Sequence, residues 1–342
     1  MLKNLTKPQA HANIGNTPLV PLKYLQEYTK AKVFAKLECF NPGLSIKDRI
    51  VKHMIYRAEQ SGQLKPGATI VEATSGNTGY SLAMIAAKKG YRCVVTVKDT
   101  ISRPKVALME AFGAQVIMCP ASAKPDQPAF YMNKAKRLAL DIPNAYYLNQ
   151  NDNLANSEAH YLTTGPEIWE QTEGKITHLI TAFSTGGTIS GTARFLKERN
   201  KNIKVIGADS NGSILKSYFE TGRIPEQVKG TTSMEGVGKK IIARNVDFSL
   251  IDDVITADDG PSALALHELC NKEGLMMGYS SGAAIDVLKK MKDELTEKDI
   301  VVLIFADHGC KYLDKVYDHE WMKAKGYFET TDEELNMISL VI

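Results

Sequence analysis

Short apolar, β-branched runs alternate with longer stretches of helical periodicity along most of this chain. From residue 68 the order is TIVEA, a helix ending at Gly90, CVVTV, a helix to Gly113, QVIMC, a helix through 127–140, and AYYLN. A second series contains HLITAF at 178–183, a helix to about 199, KVIGAD at 204–209, a looser stretch to about 257, two helices, and IVVLIFA at 300–306. Strands separated by helix-length segments predict parallel sheets, because a parallel pair needs a long crossover and a helix supplies it. The polar segment NQNDNLANSE at 149–158 divides the two series and predicts two lobes. Ligands then belong in the crevice at the carboxyl ends of the strands.

Composition narrows the class. The 342 residues, 44% hydrophobic and 24% charged, suffice for an ample core. Runs such as IVVLIFA are far too short to span a bilayer, and MLKNLTKPQAHAN has no apolar core of signal-peptide length, so a cytoplasmic protein without a membrane partner is expected. The net charge is +3, with lysine pairs scattered among acids, which argues against nucleic acid as a partner. Five cysteines, Cys39, Cys93, Cys119, Cys270 and Cys310, form no C-x-x-C pair and no zinc-like spacing; buried, reduced thiols are expected and no metal site. The acidic ETTDEELN at 329–336 reads as a solvated helix face.

Four stretches carry candidate chemistry. In GLSIKDRIVKHM, Ser45 and Asp48 have capping-box spacing, which makes Ser45 the N-cap and puts Lys47 in the first helical turn. The positive end of the helix dipole there disfavours an ammonium and favours a neutral, nucleophilic amine; a solvated lysine offset by Asp48 is the plain alternative. STGGT, Ser184 to Thr188, lies between a strand and a helix and suits a phosphate: Gly186 and Gly187 admit the anion to the backbone N–H groups, and Ser184, Thr185 and Thr188 add hydroxyls. It is neither a Walker A loop nor a dinucleotide fingerprint, so a phosphate monoester is favoured over a nucleotide. EATSGNTGYS offers Thr74, Ser75, Asn77 and Thr78 around another helix start, a nest suited to a carboxylate. GYSSGAA at 278–284 opens a third helix, with Ser280 or Ser281 as the possible cap.

Together, NPGLSIKDR, EATSGNTG, STGGTISG, EGVG and GYSSGAA, in this order and spacing, resemble the cysteine synthase and cystathionine β-synthase branch of the fold-type II pyridoxal-phosphate enzymes. The resemblance runs from IGNTPLV at 14–20 to WMKAKGYF at 321–328, the catalytic core of that family; SEAHYLTTGPEIW and DSNGSIL lean toward its cystathionine β-synthase side. It implies an α/β fold like the tryptophan synthase β subunit, with a larger cofactor-phosphate domain (1–47 and 153–342) and a smaller, mobile substrate-carboxylate domain (48–152). The implied cofactor is pyridoxal 5'-phosphate, held covalently by Lys47, with Asn77 at its 3'-hydroxyl, Ser184, Thr185, Gly186, Gly187 and Thr188 at its phosphate, and Ser280 at its pyridine nitrogen. Thr74, Ser75, Thr78 and Gln150 would take the substrate carboxylate, with Gly236 on the substrate side. The implied reaction is β-replacement on serine or O-acetylserine by a sulfur nucleophile, in a homodimer; nothing in the sequence implies haem or adenosylmethionine control. Net β-elimination is the alternative within catalysis, and a non-catalytic cofactor or amino-acid binding protein the alternative outside it.

Three positions depart from the family pattern. Ser184 stands where glycine is usual, and Asn151 and Lys239 stand where enzymes that make cystathionine in animals and yeast generally carry tyrosine. Losing two aromatic walls loosens the grip on a long thiol, while Lys239, if it faces the site, would favour an anionic acceptor or the distal carboxylate of homocysteine; a surface lysine is the plain alternative.

Overall fold

A computed structural model describes residues 13–74 and 76–328; Ser75 and ETTDEELN lie outside the described residues. Ten strands are present among them: β1 (Leu19–Pro21), β2 (Lys32–Leu37), β3 (Thr69–Ala73), β4 (Arg92–Lys98), β5 (Gln115–Cys119), β6 (Ala145–Tyr147), β7 (His178–Ala182), β8 (Lys204–Ser210), β9 (Asp253–Ala257) and β10 (Ile300–Phe305). They form two sheets, β1-β2-β10-β7-β8-β9 and β5-β4-β3-β6. Every pairing is parallel except β1 with β2.

Helices cover both faces, which explains why the strands read as continuous apolar runs rather than alternating ones. Along β10, Val301, Leu303 and Phe305 enter one core while Val302 and Ile304 enter the core on the opposite face. Likewise Cys93, Val95 and Val97 of β4 pack on one side of the smaller sheet and Val94 on the other. No described helix is long and apolar enough to cross a membrane. The five cysteines are free: Cys39, Cys93 and Cys119 are buried, Cys270 is half-buried and Cys310 is exposed.

The strand-helix series from residue 68 agrees with the pattern reading with two differences, and a third lies upstream in β2. The helix expected over 127–140 is Tyr131–Asp141, because Pro120, Pro125 and Pro128 keep the preceding segment in turns. The stretch taken as loose before 257 contains the helix Leu215–Thr221 and the edge strand β9. β2, with two lysines in KVFAKL, gives a weak strand signal, yet it pairs with β10 along its whole length. Lys36 of β2 is wholly buried and ion-paired to Glu167, which a one-dimensional pattern cannot anticipate.

Candidate active site

Where the chain leaves β3, β6, β7 and β10, the side chains converge. One cavity of about 100 Å³ is lined by Lys47, Thr74, Gly76, Asn77, Thr78, Lys105, Gln150, Ser184, Thr185, Glu235, Gly236, Lys239 and Tyr312. Lys47 therefore meets both the Thr74–Thr78 loop and the Ser184–Thr185 turn. Gly186, Gly187, Thr188 and Ser280 do not line this cavity.

Lys47 opens the helix Lys47–Gln60, but the capping box does not form. Ile46 is the N-cap, Ser45 Oγ accepts from the Lys47 N–H at 3.3 Å, and the Asp48 carboxylate turns away to the Gly43 N–H and the Ser81 hydroxyl. The segment before the helix is instead stitched to the end of β10: Ser45 bridges Asp307, the Ile46 N–H donates to Ala306 O at 2.8 Å, and the His308 N–H donates to Leu44 O at 3.2 Å. Backbone pairing with a neighbouring strand outcompetes a local cap and fixes where Lys47 starts. Burial brings the Lys47 amine down to about 8, with Asp307 opposing the shift. Desolvation, more than the helix dipole, makes this amine partly neutral near physiological pH.

Asn77 begins the helix Asn77–Lys89, capped by Gly76 at φ 149°, a conformation closed to side-chain-bearing residues. Its Nδ2 donates to Asp307 Oδ2 at 2.8 Å, and its Oδ1 accepts from Lys311 Nζ at 2.7 Å. One Asn77 amide hydrogen is left for a ligand. Thr74 Oγ1 accepts from the Gly76 and Gly79 N–H groups. The Thr78 hydroxyl donates to Gln150 Oε1 at 2.7 Å, and Gln150 Nε2 donates to Ala73 O at 3.1 Å. Buried Glu72 underpins this corner by accepting from the Ala73 and Gln150 N–H groups, and burial pushes its carboxyl up to about 8.

The second turn opens the helix Gly187–Arg199 after Gly186 at φ 85°. A Cβ on Gly186 would lie 2.7 Å from the Val246 backbone, and one on Gly187 would lie 1.8 Å from Asn156 Oδ1. Only glycine lets the chain pass there. Asn156 Nδ2 donates to Gln150 O at 2.7 Å and to Thr185 Oγ1 at 3.3 Å, linking the carboxylate and phosphate candidates. Thr188 pairs with His160 Nε2 at 3.2 Å, whose Nδ1 pairs with Thr164. Burial, then Lys47 and Arg49, push His160 well below its ordinary range, so its ring is neutral.

Ser280 is buried at the start of the helix Tyr279–Lys290, but the N-cap is Gly278, not a serine. A Gly278 Cβ would lie 1.8 Å from Asp307 Oδ1, and the Gly278 N–H donates to Asp307 O at 2.9 Å. Glycine is needed where this helix start meets β10.

The sequence reading missed Asp307, Tyr312, Lys105, Glu235 and Lys311. Asp307 lies two residues past the end of β10, and the strand-end rule could have found it. Its Oδ2 also accepts from the Tyr312 hydroxyl at 2.8 Å. Lys105 and Lys315 both pair with the Glu235 carboxylate, so a residue of the smaller-sheet lobe is tied to the larger one across the cavity. No sequence motif announces that contact.

A family model described as pyridoxal-phosphate dependent enzyme matches residues 11–307. Cystathionine β-synthase of Saccharomyces cerevisiae is 41% identical over 331 residues, covering 92% of this chain but only 64% of that relative's length. Cysteine synthase 1 of Neurospora crassa is 38% identical over 342 residues, covering 98% of this chain and 91% of the relative. The solved structure of an O-acetylserine dependent cystathionine β-synthase from Helicobacter pylori superposes with a TM-score of 0.80 at 34% identity, over 90% of this chain and 97% of that one. With the lysine, the two helix-start loops and the two sheets, parallel but for β1, in place, this chain belongs to the pyridoxal-phosphate dependent enzymes.

Proposed function

We propose that this chain catalyses β-replacement on serine or O-acetylserine with a sulfur nucleophile, forming cysteine or cystathionine. The observation that carries this reading is the convergence of Lys47, Asn77, Thr78, Gln150, Ser184 and Thr185 on one cavity. Relatives named for cysteine synthesis and for cystathionine synthesis support it.

The residues fit pyridoxal 5'-phosphate. A partly neutral lysine lines the cavity, and the Gly186–Gly187 turn opens a thirteen-residue helix, with no Cβ in the way of an anion approaching its free N–H groups, as a phosphate cradle needs. When bound, the cofactor draws electrons from the substrate's α-carbon. Lys47 would hold it covalently, Asn77 would donate its free amide hydrogen to the 3'-hydroxyl oxygen, Ser184 to Thr188 would hold the phosphate, and Ser280 would face the pyridine nitrogen.

Thr74, Ser75, Thr78 and Gln150 would orient the substrate carboxylate, with Gly236 lining the opposite wall. The Lys47 amine would be the base that takes up the substrate's α-proton. A thiol then replaces the β-substituent. The lobe of residues 48–152 would close over the carboxylate and exclude water, and the Lys105–Glu235 pair already links it to the larger lobe across the cavity.

The decisive assay crosses serine and O-acetylserine with sulfide, cysteine, homocysteine and no thiol, following cysteine, cystathionine, lanthionine and pyruvate. Because Asn151 and Lys239 replace aromatic walls, sulfide with O-acetylserine should serve at least as well as homocysteine with serine. Pyruvate as the dominant product in every arm would replace this reading by β-elimination.

A further inference from the structure

Lys239 and Asn151, 88 positions apart and both departures from the family pattern, meet: Lys239 Nζ donates to Asn151 Oδ1 at 2.6 Å. The contact is built from both sides. Asn151 is 1% exposed, and its backbone carbonyl accepts from Asn245 Nδ2 at 2.8 Å. The Lys239 backbone is clamped by the neighbouring segment, its N–H on Ser213 Oγ at 3.0 Å and its carbonyl accepting from the Ile214 N–H at 2.8 Å. A Cβ on the preceding Gly238 would lie 2.3 Å from Ser210 Oγ, so the turn that aims Lys239 has one backbone path.

The charge around this ammonium is incomplete. Among the described residues, no carboxylate lies within ion-pair distance of Lys239 Nζ. Asn151 is neutral, and the nearby Glu72 already accepts from two backbone N–H groups. Burial and the neighbouring Lys47 push the Lys239 amine down to about 8 against the opposing pull of Glu72 and Asp152, so these carboxylates do not fully offset the cost of its charge. Lys239 lines the same cavity as Thr74, Thr78 and Gln150, the receptors proposed above for the amino-acid donor's carboxylate, and so is left for a second reactant.

We infer that Lys239, positioned by Asn151, is a specificity-determining residue that receives a carboxylate on the incoming nucleophile, so that among thiols larger than sulfide the enzyme selects those bearing a carboxylate close to sulfur. The inference rests on the β-replacement reading. In the step concerned, the thiol sulfur bonds to the donor's β-carbon, the C–O bond to acetate breaks, and the thiol proton is released.

The test uses three two-carbon thiols of different charge, mercaptoacetate, 2-mercaptoethanol and cysteamine, with O-acetylserine and the cofactor-loaded protein. Ratios of kcat/KM within one enzyme do not depend on how much of it is active, and comparing ratios between enzymes cancels each thiol's intrinsic reactivity. Relative to K239M, the parent protein should favour mercaptoacetate over 2-mercaptoethanol at least tenfold more strongly. K239R should retain part of that preference, N151A should weaken it, and K239E should shift preference toward cysteamine. In calorimetry with the parent protein, the unreactive thioether (methylthio)acetate, which keeps the carboxylate, should bind at least tenfold more tightly than 2-(methylthio)ethanol, a difference absent in K239M. Ratios unchanged in K239M and K239E overturn the inference while β-replacement stands. Absence of any thioether or cysteine product from the parent protein overturns both.

Discussion

Asn77 Nδ2 donates to Asp307 Oδ2 at 2.8 Å, joining the first helical residue of one lobe to the end of the last strand of the other. Lys311 Nζ holds the other end of the same amide and also caps the Gly43 carbonyl. The loop before Lys47, the Asn77 helix and β10 thus share one polar network. Lys47 occupies its place because three separate segments agree on it.

Lys47→Ala should abolish turnover and covalent cofactor attachment while the fold persists, since Lys47 adds no packing that the core depends on. With a value near 8, about one amine in ten is neutral at pH 7, against roughly one in three thousand at an ordinary lysine value. The rate at which added cofactor bonds to the protein should therefore rise up to about pH 8 and level off there. Borohydride reduction followed by peptide mapping locates the attachment, and a modified lysine elsewhere would refute the assignment.

Gln150→Ala and Thr78→Ala should each weaken the amino-acid substrate by roughly 10- to 150-fold, the equivalent of about 1.5 to 3 kcal/mol for a lost charge-assisted hydrogen bond. Cofactor affinity should change far less. Because the two side chains bond each other, the double variant should lose less than the sum of the singles. Steady-state KM values beside cofactor titrations separate this outcome from a purely structural role.

Gly187→Ala should impair cofactor retention by at least about tenfold, because the new methyl would lie 1.8 Å from Asn156 Oδ1 and the turn must shift. Removing the obstacle in Gly187→Ala/Asn156→Ala should recover part of the loss. Dialysis against buffer and the residual visible absorbance measure both.

Glu167 anchors a buried charge network, pairing with Arg49 and Lys36 while Arg49 also pairs with Glu38. Against the burial that would raise it, Arg49 and Lys36 hold the Glu167 carboxyl down to about 2. Its stabilisation is fully present above the unfolded value of 4.5 and is lost as pH falls toward about 2. Glu167→Gln should cost about 3 to 5 kcal/mol at pH 7, the usual cost of breaking a buried ion pair. Denaturant titrations at pH 7, 4 and 3 should show the gap between parent and variant narrowing as pH falls.

Sedimentation at micromolar concentration should give a dimer, as the resemblance to the family implies. Phe40, Tyr56 and Leu162 remain more than half exposed on the single chain. A monodisperse monomer would remove this expectation without touching the chemistry.

Sequence by itself determined the alternation of strands and helices, the two series, and the glycine-rich helix starts, because periodicity and glycine's conformational freedom are local properties. Lys47, Asn77, Thr78 and Ser184 were legible as motif residues for the same reason. Tertiary structure alone decided which groups face one another. The Ser45 cap lost to pairing with β10, Ser280 lay behind a glycine cap, and the value of Lys47 followed from burial more than from its place in a helix. Asp307, Glu235 and Lys105 carry no motif; they matter because strand ends and a lobe contact bring them to the cavity. Asn151 and Lys239 were visible only as two separate departures, and the 2.6 Å bond between them is a product of folding. Desolvation and cross-lobe contacts depend on distances in space, which residue order along the chain does not encode locally.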